Sequence, residues 1–110
     1  MNPELIDIAN EIRRVSERLD KAPKAIFEAS KDYAEAERVY RKALSIEIMQ
    51  LKAEGLPVTV INDVARGKVS DLKYERDLKE GLYRSSLESC KALQAELSGL
   101  QSVFRVYGEV

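Results

Sequence analysis

Residues 53–68, AEGLPVTVINDVARGK, decide the fold of this chain of 110 residues. On either side of them stand long, charge-rich runs with helical spacing. Gly55, directly after Ala53-Glu54, suits the left-handed residue that closes a helix, and Pro57 forbids simple continuation. A chain that runs helical, turns over a short apolar connector and runs helical again is most simply an antiparallel pair of helices. The expected fold class is therefore all-α: a long antiparallel coiled-coil helical hairpin with a short structured connector. Two thin helices cannot bury a globular core between them, so assembly into a dimer or higher oligomer is expected. The single elongated domain, 1–110, divides into an N-terminal helical segment 1–23, a first long helix 24–54, the connector 55–69 and a second long helix 70–107.

Upstream, Leu5, Ile8, Ile12, Val15 and Leu19 alternate steps of three and four, which is a heptad seam. Asn2 can cap this helix, Pro3 is tolerated at its first position, and Glu4 suits its positive end. Pro23 then interrupts the pattern without any glycine or turn signal beside it, which favours a kink over an ending. Beyond it Ile26, Ala29, Tyr33, Ala36, Tyr40, Leu44, Ile48 and Leu51 continue the stripe with spacing that drifts toward four.

Within the connector, Thr59 can cap a short helix over 60–66 with Val60, Ile61 and Val64 inward and Gly67 ending it. A two-residue strand at 58–60 is the alternative, because Val-Thr-Val also suits extended backbone. Ser70 is the expected cap of the second long helix. Its stripe reads Leu72, Glu75, Leu78, Leu82, Ser86, Ser89 or Cys90, Leu93, Leu97, Leu100, Phe104 and Tyr107.

The balance of 18 basic and 19 acidic residues is spread evenly, and each of the four segments lies within one charge of neutrality. No segment is a strong electrostatic platform for nucleic acid. The cations nearest the connector, Arg66, Lys68, Lys73 and Arg76, are the candidate contacts for a partner or for nucleic acid. Asp63, Asp71, Glu75 and Asp77 are interspersed and oppose phosphate binding. A lone cysteine, Cys90, excludes an intrachain disulfide and fits a reducing, cytoplasmic setting. The acidic groups of MNPELIDIANEI are unlike a signal peptide, and no apolar run approaches the ~20 residues a bilayer requires.

Catalytic chemistry finds few groups to work with. There is no histidine, hence neither the commonest general base nor an imidazole metal ligand. Glu28, Asp32 and Glu35 share a helical face, as do Asp71 and Glu75, but neighbouring lysines and arginines make them solvated ion-pair faces. Gly67-Lys68-Val69-Ser70 ends like a phosphate loop yet lacks the upstream glycine spacing. No catalytic, cofactor-binding or metal site is expected, and no enzyme activity.

Two resemblances bear on function. Thr59 to Ser70, TVINDVARGKVS, resembles the opening of the DNA-binding domain of lactose-repressor-type regulators, but is one residue short of the helix-turn-helix spacing and leads into a long helix. The stretch from Ala34 to Leu44 (AEAERVYRKAL), then LKAEGLPVT at 51–59, DVARG at 63–67 and Glu75-Arg76-Asp77, resembles small bacteriophage and prophage proteins encoded near replication or recombination genes. That resemblance implies an accessory role in such a setting; the long paired helices, the N-terminal seam and the shaped connector add the expectation of a non-enzymatic, self-associating helical scaffold that presents its connector end or one polar face to a phage or host protein. The alternative is an accessory protein that binds nucleic acid.

Overall fold

The computed structural model describes residues 2–108, and every element among them is α-helical. Helix α1 spans Pro3–Ala53, α2 Val58–Lys68 and α3 Ser70–Gly108. Contacts between α1 and α3 pair Tyr33 with Tyr83 and Tyr40 with Arg76, so the partner number falls as the α1 number rises. The two long helices are therefore antiparallel.

The start of α1 follows from Asn2. Its side-chain oxygen accepts the Glu4 backbone N–H at 2.9 Å and its carbonyl accepts that of Ile6, satisfying donors that a helix N-terminus otherwise leaves open. The helix continues through Pro23, which lies on its exposed side. There the proline removes one backbone donor and no packing side chain.

The end of α1 is equally local in origin. Gly55 has φ of 83°, the left-handed conformation that a side chain would strain. The Gly55 N–H donates to the carbonyl of Lys52, and the Leu56 N–H to that of Leu51. This pair of bonds closes the last turn, and Leu56 packs back on the cluster of Leu51, Ile61 and Ala65.

Pro57 then leads directly into α2, with no side-chain cap. The connector is thus a helix of 11 residues, longer than 60–66, and it contains no strand. Gly67 lies inside it. At the other end Val69 alone separates α2 from α3: its N–H donates to Ala65, and its carbonyl accepts from Lys73 in the first turn of α3.

The chain forms two compact units. The terminal unit joins the described residues up to Phe27 with those from Arg84 onward. Its packing line uses Leu5, Ile8, Ile12, Val15 and Leu19 of α1 and Leu93, Leu97, Leu100 and Phe104 of α3, with Val15 and Leu93 the most enclosed. At the end of this unit Tyr107 hydrogen-bonds to Glu4, which holds the phenol above its ordinary pKa.

The central unit, Glu28–Tyr83, contains the core proper: Leu51, Ile61 and Ala65, supported by Leu44, Ile48 and Leu56. Burial on α2 falls on Ile61 and Ala65, and Val69 follows at the same interval of four. Val60 and Val64, expected inward, are exposed instead. The turn at Gly55 sets the angle at which α2 meets α1, and that angle selects Ile61 and Ala65.

The inner stripe of α3 also differs from the leucine pattern. A line of buried and half-buried residues runs Leu72, Arg76, Lys79, Tyr83, Ser86, Cys90, Leu93, Leu97, Leu100 and Phe104 in unbroken steps of four and three, with Glu80 and Leu87 half-buried beside it. Glu75, Leu78 and Leu82 lie outside it and are exposed. Arginine and lysine can occupy such a seam because their aliphatic stems pack while their charged ends reach a partner or water.

Candidate functional site

Helix α2 and the start of α3 bring the connector cations into one unit, but give each a different situation. Arg66 is exposed on α2 and makes no ion pair among the described residues. Lys68 stands with its Nζ 3.6 Å from Oε2 of Glu47 on α1. That carboxylate oxygen is buried and has no hydrogen-bond partner, so the lysine is its nearest compensation. Lys73 binds Asp77 at 2.7 Å, one turn along α3.

Arg76 is the most constrained of the four. Its side chain is 18 % exposed, its Nη1 donates to Glu37 at 3.0 Å, and its Nη2 donates to Asp77 at 2.8 Å. The guanidinium also lies over the Tyr40 ring, 4.9 Å from the centroid, where the ring's negative face attracts it. Bonds from Asp77 and Glu37 raise the arginine's pKa further above its ordinary value. Glu37 is held below the usual carboxylate range by the hydrogen bond from Arg41, then by that from Arg76. Asp77 is lowered likewise, first by Lys73 and then by Arg76. The result is a closed chain of alternating charges, Arg41, Glu37, Arg76, Asp77 and Lys73, which is ill-suited to receive a phosphate.

Sequence reasoning missed Glu37, Arg41 and Tyr40 as members of this arrangement. Stepping back by threes and fours from Phe104, Leu100, Leu97 and Leu93 reaches Arg76, and that count is the signal that would have found it.

The surface of α2 presents different chemistry. Val58 and Val60 are 77 % and 41 % exposed, and Val64, one turn beyond Val60, is 37 % exposed. Thr59, Asn62, Asp63 and Arg66 complete the solvent-facing arc. Gly67-Lys68 lies within the helix, with no loop to surround a phosphate.

In the terminal unit an open hollow of about 380 Å³ lies where small residues meet: Ala22 and Ala25 on α1, Ser86, Ser89 and Cys90 on α3. Arg18 and Lys21 rim it, and Ile26 and Leu93 supply apolar walls. The half-buried Cys90 is a small lining side chain there.

Of the carboxylates grouped by sequence, Glu35 pairs with Arg38, whose hydrogen bond lowers its pKa. Among the described residues no cluster of three or more acidic, cysteine or histidine side chains is placed to hold a metal ion. Nor is any helix among them long and apolar enough to cross a membrane. Comparison with protein-family models, curated proteins and solved structures finds no match. The functional reading therefore rests on the residues themselves.

Proposed function

We propose that this chain is a non-enzymatic, self-associating helical scaffold that presents the outer surface of α2 to a protein partner. The observation that carries the reading is the exposure of Val58, Val60 and Val64 on a helix whose Ile61 and Ala65 already satisfy the core. Val60 and Val64, one turn apart on one side of this short, well-anchored helix, form an adjacent exposed apolar pair of the kind an interaction surface uses. Arg66, exposed elsewhere on the same helix, adds a charge with no ion pair among the described residues. The phage-type accessory role, in a phage or host complex, has the sequence resemblance as its support, and the coiled-coil description has the three-and-four spacing of the inner residues.

Direct nucleic-acid contact through Arg66, Lys68, Lys73 and Arg76 has less support. Three of these four cations already face carboxylates, and counterion release requires cations available to phosphate.

A photoactivatable side chain at position 63 tests the leading reading in the cells that produce the chain. A defined protein adduct should form and should disappear when Val60 and Val64 are both changed to Asp. An adduct that persists in V60D/V64D, or none at position 63, would remove α2 as the binding surface.

A further inference from the structure

Two flanks run along the α1–α3 pair of the central unit, and they differ in kind. On two antiparallel helices advancing by about 100° per residue, residues just before the mutual contacts share one flank and those just after share the other. Tyr40 meets Arg76, and Tyr33 meets Tyr83. Arg41 and Asp77 therefore lie together, on the flank where Glu37, Arg76 and Lys73 complete the ion pairs. Val39 and Leu82 share the opposite flank.

Helical spacing adds Ile46 of α1 and Leu78 of α3 to that second flank, and all four side chains are exposed. The charges interleaved with them are Lys42 on α1 and Asp71 and Glu75 on α3, with Asp32 at the far end. None of these four has an ion pair among the described residues, whereas Glu35 at the margin is taken by Arg38. One flank thus satisfies its charges internally, and the other combines exposed aliphatic groups with charges left over.

We propose that a second copy of this chain covers the Val39, Ile46, Leu78 and Leu82 flank, across a two-fold axis parallel to the helices. Each copy then lays its α1 on the other's α3. Lys42 is two residues past Tyr40 and Glu75 one before Arg76, so on antiparallel helices they stand at nearly the same level. A two-fold parallel to the helices preserves levels, bringing Lys42 of each copy to Glu75 of the other and Val39 to Leu78.

This inference deepens the self-association named above and is independent of what α2 binds.

Sedimentation equilibrium of the full chain is the test, with circular dichroism as the check on helicity. The wild type should show the mass of two chains. Lys42→Glu and Glu75→Lys should each weaken association by roughly tenfold or more through like-charge opposition, and K42E/E75K should restore it. Leu78→Asp with Leu82→Asp should give the mass of one chain. A single-chain mass for the wild type, a two-chain mass in L78D/L82D, or no recovery in K42E/E75K would each overturn the proposal. Should L78D/L82D lose helicity, the charge-reversal series decides alone, because Lys42 and Glu75 are exposed and unpaired in the single chain. Failure of the α2 reading would appear in the cross-linked adduct, and failure of this one in the mass.

Discussion

The central unit has a third helix and the terminal unit, among its described residues, has two; the consequences run through every level of packing. Two helices enclose side chains along one line only, so Leu5, Ile8, Ile12 and Leu19 stay half-buried and Val15 alone on α1 is sealed there. Where α2 closes the central unit, Leu51, Ile61 and Ala65 are removed from water on all sides. A short helix placed across the end of a pair thus does more for enclosure than many further residues added to the pair. Farther from α2 the central unit is again a two-helix arrangement. There the seam is filled by rings and guanidinium: Tyr33 stacked on Tyr83 at 6.2 Å, and Arg76 over Tyr40.

The largest expected effect breaks this comparison at its strongest point. Leu51→Ala removes a side chain 2 % exposed from the cluster it forms with Ile61 and Ala65 of α2, against which Leu56 also packs. It should cost about 3 kcal/mol in urea unfolding, in the usual range for leucine truncation in a core. Leu19→Ala, on the half-buried line of the terminal unit, should cost clearly less. Equal losses at the two sites would mean that α2 adds no enclosure.

The next effect separates polar from apolar filling of the seam. Arg76→Ala should cost about 1 to 2 kcal/mol, since it takes the ring contact from Tyr40 and leaves Glu37 with Arg41 alone. The same network sets a pH dependence. Glu37 and Asp77 have depressed folded-state pKa values, so the unfolded chain binds their protons first as pH falls. Their contribution is present above the ordinary carboxylate range and is lost as pH drops below roughly 4 toward the folded values. A thermal midpoint followed from pH 6 downward, as in the range where carboxylates titrate, should fall less steeply in R76A than in the wild type. Parallel curves would show that the pairing contributes nothing.

Local chemistry was legible in the sequence, and chemistry joining distant segments was not. Asn2 as a cap and Gly55 as a helix closure each follow from the backbone need of one position, and both are found there. The line from Leu5 to Leu19 was legible because only aliphatic residues repeat along it. On α3 the leucines misled: Leu78 and Leu82 look like seam residues until Arg76, Lys79 and Tyr83 are seen to keep the spacing that Leu93 and Leu97 establish. Nothing near Arg76 in the chain announces that it will turn inward, because its partner Glu37 is 39 residues away. The candidate cations were grouped by sequence proximity, and proximity says nothing about which of them meets a carboxylate on another helix. Arg66 is left with none, while Lys68, Lys73 and Arg76 are not. The side of α2 that faces the core was hidden for a similar reason. Valines or isoleucine occur on several of its sides, so the angle of the Gly55 turn, and not the pattern, makes the choice.

The smallest expected effect sharpens the comparison from the side of the terminal unit. Its hollow exists because Ala22 and Ala25 face Ser86 and Ser89, residues too small to meet across the helix pair. Ala22 is half-buried and follows Leu19 by three residues and precedes Ile26 by four, so a larger apolar side chain there continues the inner stripe. Ala22→Leu should raise stability by about 0.5 to 1 kcal/mol through apolar area taken from water, read as a higher thermal midpoint. If poor enclosure in the terminal unit comes from the lack of a third helix alone, filling the hollow will change nothing. A gain would assign part of the difference to side-chain size. A loss would mean that the helices already approach as closely as alanine and serine permit, with no room for the added methyl groups.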